Sequence, residues 1–340
     1  MRRFHAFYST AVVTLGSIAL LGSTPAIAQA QTFELKATHF LPPNHSFHKE
    51  LVRWGDELSK KSNGRITIKV FPSGQMGPTP RQFDLVRTGV ADIGVGLSGA
   101  SPGRFPMTEV SNLPFVVTES SRSSKAITEL APKYLAQEYA GVKLLQITLT
   151  PPLKFHMAKA KLNTLADFKG LRIRYAGELF AESIKAFGGT PVAVSPGEVV
   201  DAMSKGTVDG AMFPHEGAQS FQLHTVAKFS YEPGINAASF FWVMNPATYE
   251  KLPPDLRALI DQTTGPANAE RIGKELDSAE VEGRNHLSSK GVQIVTFSEP
   301  MQREMISVVK PIIDTTIGKL EAKGQPARQL YDALVKAGAR

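Results

Sequence analysis

The segment Leu171-Arg-Ile-Arg-Tyr-Ala176 alternates apolar and polar side chains, which predicts a short β-strand. The leucine, isoleucine and tyrosine share one face of this strand, and Arg172 and Arg174 share the other. A guanidinium at the carboxyl end of a strand presents a forked donor that suits a carboxylate. Either arginine can instead be a solvated surface group. We expect this for Arg172 and a binding role for Arg174.

The length and composition are typical of a globular protein. The chain has 340 residues, which predicts about two domains. Hydrophobic residues make up 42% of the chain and charged residues 20%, so there is enough material for a buried core. The absence of cysteine excludes disulfides, thiolate metal sites and thiol nucleophiles.

The first residues have the pattern of an export signal. A basic start at Arg2 and Arg3 precedes an apolar stretch over 11–21 and small residues before Ala28. We predict a signal peptide over 1–28 that is cleaved after Ala28. The apolar stretch is shorter than the roughly 20 residues that span a bilayer, which argues against a membrane anchor. Removing both arginines lowers the formal charge from +7 to +5. Because no basic run is clustered, we expect no nucleic-acid partner.

Strand and helix patterns alternate along the rest of the chain. Strands are predicted over 33–39, 66–70, 90–95, 142–148, 171–176, 191–194, 238–245 and 291–297. Helices are predicted over 47–60, 79–88, 121–139, 178–187, 195–205, 252–290 and 301–337, with breaks at Gly265-Pro266 and near Gly324. The strand–helix–strand order implies α/β layers with parallel strands.

A helix–Gly–x–x–Asp–strand unit occurs twice. Thr79 and Ser195 are the predicted N-caps, and Gln82 and Glu198 complete the capping boxes. The first predicted helix ends at Gly89 and the second at Gly206. An aspartate follows each glycine three positions later, Asp92 in the first unit and Asp209 in the second. One interpretation is that this similarity between the two units arose by chance. The other is two α/β lobes of similar construction that meet at a cleft, with Pro151-Pro152 and 238–245 crossing between them as a hinge.

Motifs for cofactors and catalysis are weak. Gly94-Val-Gly-Leu-Ser-Gly99 formally matches a dinucleotide loop, but Ser101-Pro-Gly103 follows, so no helix N-terminus can hold a pyrophosphate. The same stretch lacks the last glycine of a nucleophile elbow. His39, His45 and His48 have no accompanying carboxylate set. We therefore expect no cofactor and no metal site.

Six motifs together resemble one known family. They are Ser62-Asn-Gly-Arg-Ile66, Phe71-Pro-Ser-Gly-Gln-Met-Gly77, Asp167-Phe-Lys-Gly-Leu-Arg-Ile-Arg174, Pro196-Gly-Glu-Val199, Gly206-Thr-Val-Asp-Gly210 and Val243-Met-Asn-Pro246. In this order, over about residues 33–335, they are similar to the solute-binding proteins of tripartite ATP-independent periplasmic (TRAP) transporters, of the dicarboxylate-receptor type.

The resemblance implies an α/β, two-lobe periplasmic binding protein fold, with a hinge of crossing strands and a long helix. We expect lobe I at 32–152 with 240–280 and lobe II at 153–239 with 281–335. In the family, the arginine that ends the Gly-Leu-x-Ile-Arg segment pairs with the ligand carboxylate, and this role falls on Arg174. The resemblance implies a periplasmic, non-enzymatic receptor that delivers a small organic acid to a TRAP membrane permease. We expect a monomer.

Other candidate ligand contacts follow from the same comparison. Lys154 is either a second basic group for the ligand or a solvated lysine, because an ammonium is a point charge and not a fork. Phe213 stands where relatives often have a polar residue, which favours a monocarboxylate over a dicarboxylate or sugar acid. Aromatic, 2-oxo and hydroxy acids all stay open. Trp242, like Phe213, is pocket wall or core, and His39 and His215 contact the ligand or are structural.

Two other functions stay open. A ligand-sensing receptor for a membrane kinase would have the same sequence features. A secreted hydrolase or lyase would need a nucleophile–base pair, and no pattern proposes one. Some relatives bind a cation beside the carboxylate, which the sequence neither requires nor excludes.

Overall fold

The structure is a computed structural model that describes residues 1–2, 5–6 and 31–338. The predicted cleavage after Ala28, with nearly all of the predicted export signal, lies outside the described residues. Within those ranges, no helix has both the length and the apolar character needed to cross a bilayer. All the helices and strands described belong to the unit that begins at Thr32.

The strands are numbered in chain order. They are β1 (Phe33–Thr38), β2 (Ile66–Phe71), β3 (Ile93–Leu97), β4 (Lys143–Leu149), β5 (Lys154–Met157), β6 (Arg172–Arg174), β7 (Thr190–Val192), β8 (Gly210–Phe213), β9 (Phe229–Glu232), β10 (Ser239–Met244) and β11 (Gln293–Thr296). Strands β5 and β9 were not predicted from the sequence. Both are only four residues long, so the polar–apolar alternation that each contains is too short to stand out as a strand pattern.

The helices follow the same numbering. They are α1 (Ser46–Lys61), α2 (Gln82–Arg87), α3 (Ser120–Tyr134), α4 (Glu178–Ala186), α5 (Val199–Ser204), α6 (His215–Ser220), α7 (Pro246–Lys251), α8 (Pro254–Gln262), α9 (Pro266–Ser289), α10 (Glu299–Glu321) and α11 (Ala327–Gly338). The breaks predicted at Gly265-Pro266 and near Gly324 separate α8 from α9 and α10 from α11.

The strands form two separate sheets. The first has the order β2-β1-β3-β10-β4 and the second has the order β11-β9-β5-β8-β6-β7. In the first, β1 runs parallel to β2 and β3, and β10 lies antiparallel between β3 and β4. Strand β10 therefore returns to the first sheet after the second has begun, as predicted. The α/β class is confirmed, whereas the residue boundaries of the two lobes stay a prediction.

Three close approaches at glycines fix strand β10 and helix α9. A Cβ on Gly96 of β3 would lie 2.2 Å from the ring of Phe241, so only glycine leaves room for the apolar β10. On α9, a Cβ on Gly273 would lie 2.4 Å from the backbone of Ser121, and one on Gly283 would lie 2.6 Å from that of His215. Helix α9 thus packs tightly on α3, beside the first sheet, and on α6, beside the second.

The repeated helix–Gly–Asp–strand unit is present in both sheets. The Asp92 carboxylate accepts the backbone N–H of Lys36 at 2.8 Å, and the Asp209 carboxylate accepts that of Arg172 at 2.8 Å. Each acid therefore joins its own strand start to the neighbouring strand. This shared role favours similar construction over chance.

The predicted capping boxes are wrong. A 3₁₀ turn precedes each of α2 and α5, and neither turn begins with a side-chain cap hydrogen bond. The Gln82 side chain instead donates to the Gly77 carbonyl at 2.7 Å and accepts from the Thr38 hydroxyl at 3.0 Å. The proline fixes the helix start at each position without the hydroxyl.

Candidate functional site

A small apolar cavity lies between the two sheets. Its volume is about 410 Å³, including the part that opens to solvent. The side chains around it are Phe40, Leu41, His45, Leu97, Thr150, Leu153, Arg174, Ala176, Pro196, Met212, Phe213, Pro214, Gly217, Phe221, Ala238 and Phe240. Arg174 is the one residue in this lining with a full positive charge, and the lining includes no acid.

Arg174 reaches the cavity because β6 is an inner strand. Its neighbours are β7, with Val192 beside Arg174, and β8, with Ala211 beside it. The side chain is held by Nε, which donates to the Val194 carbonyl at 3.1 Å, and by Nη1, which donates to that of Met212 at 3.2 Å. These two bonds leave three N–H groups for a ligand, two on Nη2 and one on Nη1.

The charge of Arg174 has no counter-ion among the residues that the structure describes. The residue is only 3% exposed, and burial lowers the pKa of its guanidinium from 12.5 to about 9. It stays cationic at neutral pH. In the part of the chain that the structure describes, no carboxylate forms an ion pair with it, whereas Arg172 pairs with Asp209 at 3.0 Å. A buried, unneutralised cation beside an apolar space is an anion site by its chemistry.

Phe213 lies under this guanidinium. The distance from the guanidinium carbon to the ring centroid is 4.4 Å, which is within cation–π range. Phe213 is the last residue of β8, the strand next to β6, so the two sequence candidates converge through strand pairing. The structure therefore brings Arg174 and Phe213 together on one cavity wall.

The structure does not place Lys154 or His215 on the cavity wall. Lys154 is buried and its Nζ forms an ion pair with Glu280 of α9. Nδ1 of His215 lies 3.2 Å from the same carboxylate. Burial raises the pKa of Glu280, but the His215 hydrogen bond and the Lys154 charge outweigh it and lower that pKa to about 2. The lysine charge is thus neutralised within the protein.

His39 and Trp242 also lie away from the cavity wall. The His39 ring is within 3.0 Å of His48 Nδ1 and accepts the backbone N–H of Leu41 at 3.1 Å. Burial, with the charges of His48 and His45, lowers the pKa of His39 to about 3, so it is a neutral structural group. Trp242 is core, with its indole N–H donating to the Thr148 hydroxyl at 3.0 Å.

Sequence reasoning missed most of the lining. Phe240 shares a sheet face with Trp242, two positions along β10, and of the two phenylalanines in that strand it is the one that lines the cavity. Phe40 directly follows the predicted first strand, which is a signal that could have been used. Thr150, next to Pro151, and Phe221, in the turn after α6, carried no comparable signal.

A second, more open space lies on the other side of Arg174. Its volume is about 710 Å³. Thr79 and Pro80 line it from the first repeated unit, and Ser195 and Pro196 line it from the second. The two units therefore meet at one cleft, as their similar construction suggested.

Polar contacts join the two sides of the cleft at α1. The Glu216 carboxylate of α6 accepts from the Ser46 backbone N–H at 2.9 Å and from its hydroxyl at 2.8 Å. His45 Nε2 lies 3.4 Å from the other Glu216 oxygen. Asn44 also donates to the Ser220 carbonyl at 3.1 Å. We call this set the Glu216 contact. It places a carboxylate at the N-terminus of α1, where the helix dipole favours negative charge.

Comparisons with known proteins identify the architecture. The model of the bacterial extracellular solute-binding proteins, family 7, matches residues 37–319. A solved TRAP solute binding protein from Rhodoferax ferrireducens, in complex with copurified benzoate, has a TM-score of 0.87 and 29% identity over 91% of this chain and 98% of its own. A TRAP periplasmic solute binding protein from Bordetella bronchiseptica, with bound (R)-mandelate and (S)-mandelate, has a TM-score of 0.85 and 27% identity over 90% of this chain and 99% of its own.

A sequence relative, the outer membrane transporter protein TsaT of Comamonas testosteroni, is 24% identical over 325 residues, 94% of this chain and 95% of its own. The family match covers well over half of the chain, and the solved neighbours have the two-lobe fold. The chain therefore belongs to the bacterial extracellular solute-binding proteins of family 7, the solute-binding proteins of TRAP transporters.

Proposed function

We propose that this protein is the periplasmic receptor of a TRAP-type transporter and binds one small organic monocarboxylate in the cavity between its lobes. Arg174 pairs with the ligand carboxylate, and Phe213 contacts the rest of the ligand. The receptor releases its ligand unchanged to a membrane permease. It acts as a monomer and needs neither a cofactor nor a metal.

The observation that carries this proposal is the buried guanidinium of Arg174. Arg174 is 3% exposed and lies beside the apolar wall of the cavity. It has no ion-pair partner among the described residues. Burying a charge without a partner is unfavourable, so this arrangement suits a site whose counter-ion arrives with the ligand. A carboxylate matches the forked geometry of the remaining N–H groups.

One charge in the cavity favours one carboxylate. Lys154 is the other basic residue that the sequence suggested for the ligand, and Glu280 already pairs with it. A second ligand carboxylate would therefore meet apolar groups instead of a cation, which is costly for a charged group. This charge count supports the choice of a monocarboxylate over a dicarboxylate.

Matched acids test the proposal. We expect calorimetric titration with pairs that differ by one carboxylate, such as butanoate with succinate and benzoate with terephthalate, to give one binding site. The monocarboxylate of a binding pair should bind at least tenfold tighter than its dicarboxylate partner. Mass spectrometry of acid copurified with the protein extends the panel. Tighter binding of the dicarboxylates, or no binding of any acid by folded protein, would contradict the proposal.

The Glu216 contact is the arrangement that closure around a ligand would stabilise. Its partners lie on helices beside different sheets, so they separate when the cleft opens. Replacing Glu216 with glutamine keeps the shape but removes the charge at the α1 N-terminus. We expect the ligand affinity to fall by about 5- to 30-fold, the equivalent of about 1–2 kcal/mol.

Faster dissociation should account for this loss, and stopped-flow displacement measures it. The matched control is Glu182→Gln, because Glu182 is exposed on α4 and, within the described part of the chain, forms an ion pair only with Lys185 of the same helix. The ligand should dissociate from Glu182→Gln at the same rate as from the parent protein. An unchanged dissociation rate in Glu216→Gln would show that the contact does not hold the bound form.

A further inference from the structure

Two pairs of phenylalanine rings line the cavity, one pair beside each sheet. Phe40 and Phe240 are stacked, with centroids 6.0 Å apart and planes at 17°. Phe213 and Phe221 have centroids 5.5 Å apart and planes at 48°. Four rings around one small apolar space suit a flat aromatic ligand, because offset and edge-to-face contacts between rings are favourable beyond simple burial. An aromatic ring attached to the ligand carboxylate would contact all four phenylalanine rings.

The polar groups of the wall are mostly in use. His45 Nδ1 accepts the backbone N–H of Phe47 at 3.2 Å, which leaves the proton on Nε2, and Nε2 is directed to Glu216. The following lining carbonyls already accept hydrogen bonds within the protein: Leu153, Met212, Phe213, Pro214, Gly217 and Ala238. A ligand hydroxyl directed at these carbonyls would have to share an acceptor that already receives one hydrogen bond from the protein.

Thr150 is the exception. It lies directly after β4 and is 5% exposed. Its Oγ1 accepts the backbone N–H of Ala238 at 3.0 Å, which uses one of two lone pairs. No acceptor for the hydroxyl proton is found among the described residues. The hydroxyl can therefore still donate one hydrogen bond and accept another from a ligand.

We infer that Thr150 is the specificity-determining residue of this site. It admits an aromatic monocarboxylate whose hydroxyl or oxo group meets Thr150, because elsewhere on the wall such a group would meet apolar side chains or carbonyls that already accept a hydrogen bond. The inference rests on the proposed carboxylate-binding function. Its physical basis is that a buried hydroxyl without a partner loses its hydrogen bonds to water and gains none, which lowers affinity by about tenfold or more.

The test compares hydroxy acids with fluoro acids of nearly the same size that cannot donate. Calorimetry on the parent, Thr150→Val and Thr150→Ser would use 3- and 4-hydroxybenzoate and mandelate, each beside its fluoro counterpart. In the parent, we expect one hydroxy acid to bind as tightly as its fluoro counterpart and the others about tenfold weaker. In Thr150→Val, the favoured acid should lose about tenfold, while the fluoro acids change less than about threefold. Thr150→Ser should restore the preference.

The ratio of hydroxy to fluoro affinities separates specificity from structure, because a general disturbance by valine would weaken both acids together. The same ratios in the parent and in Thr150→Val would overturn the assignment. Binding of aliphatic but not aromatic monocarboxylates would also overturn it and leave the proposed function intact. Failure of every monocarboxylate to bind folded parent protein would instead reject the proposed function.

Discussion

Replacing Arg174 with alanine is expected to lower the affinity for the carboxylate ligand by about 100- to 1,000-fold. The substitution removes the one cation of the cavity lining, so the ligand carboxylate would be buried without a partner. Truncating one member of a buried, hydrogen-bonded charge pair costs about 2–5 kcal/mol, and the middle of that range gives this loss. Calorimetric titration of the copurified or best-binding acid measures it.

The same strand provides a matched control. Arg172 is two positions away, but its side chain is 45% exposed and pairs with Asp209. Arg172→Ala should therefore bind the acid with the parent affinity. Arg174→Lys should fall between the parent and Arg174→Ala, because an ammonium keeps the charge and loses the fork. Equal binding by the parent and Arg174→Ala would show that the ligand carboxylate lies elsewhere.

Removing the charge of Arg174 should affect the stability of the fold much less than the affinity for the ligand. Burial already lowers the pKa of Arg174 to about 9, which shows that the ligand-free fold holds this charge at a cost. In Arg174→Met, removing the charge is favourable, but the Val194 and Met212 carbonyls lose their donor. We expect these effects to offset each other, so that the melting temperature without ligand changes by less than about 4 °C. The increase in melting temperature that the ligand causes in the parent should be absent in Arg174→Met.

The position of Arg174 at the end of a strand could be predicted from the sequence, whereas its role in ligand binding stays a prediction. A short alternating strand can be recognised from its own residues. Its arginine then lies at the carboxyl end of a strand that pairs with β7 and β8. Phe213 was proposed from the family resemblance, at the strand end behind the second repeated unit, and its contact with the ligand also stays a prediction. The return of β10 to the first sheet was also predictable, since a fully apolar strand needs neighbours on both sides.

The remaining candidates depended on long-range partners that sequence does not show. Lys154 and Glu280 are 126 positions apart, and only the packing of α9 over β5 brings them together. The choice of Phe240 over Trp242 depends on how far along β10 the cavity begins. Thr150 is defined by its hydrogen bond with Ala238 on the returning strand. Each is a tertiary contact without a local pattern.

Replacing Glu280 with glutamine is expected to lower the free energy of unfolding by about 3 kcal/mol at neutral pH. The side chain is 13% exposed, accepts the Glu216 backbone N–H at 3.0 Å, and pairs with Lys154 and His215. Its pKa falls from 4.5 to about 2 on folding, a difference that corresponds to about 3 kcal/mol. Removal leaves Lys154 buried without a counter-ion. Urea unfolding measures the change.

The pH dependence has a defined sign. Since the folded pKa lies below the unfolded value, the carboxylate stabilises the protein above about pH 4.5 and loses this effect as the pH falls toward about 2. The groups that face it are Lys154, His215 and, through His215, Glu232. The difference in unfolding free energy between the parent and Glu280→Gln should therefore shrink on acidification. A constant difference between pH 7 and pH 3 would contradict the assignment.

A double variant decides whether Lys154 serves the fold or the ligand. In Lys154→Met with Glu280→Gln, neither member of this ion pair is left as an unpaired charge, and the amide oxygen can still accept one hydrogen bond. Most of the lost stability should return, by about 2 kcal/mol relative to Glu280→Gln alone. Because Lys154 lies away from the cavity wall, ligand affinity should stay within about threefold of the parent. If affinity instead fell tenfold or more while stability recovered, Lys154 would be a ligand contact, and the argument for a single cavity charge would fail with it.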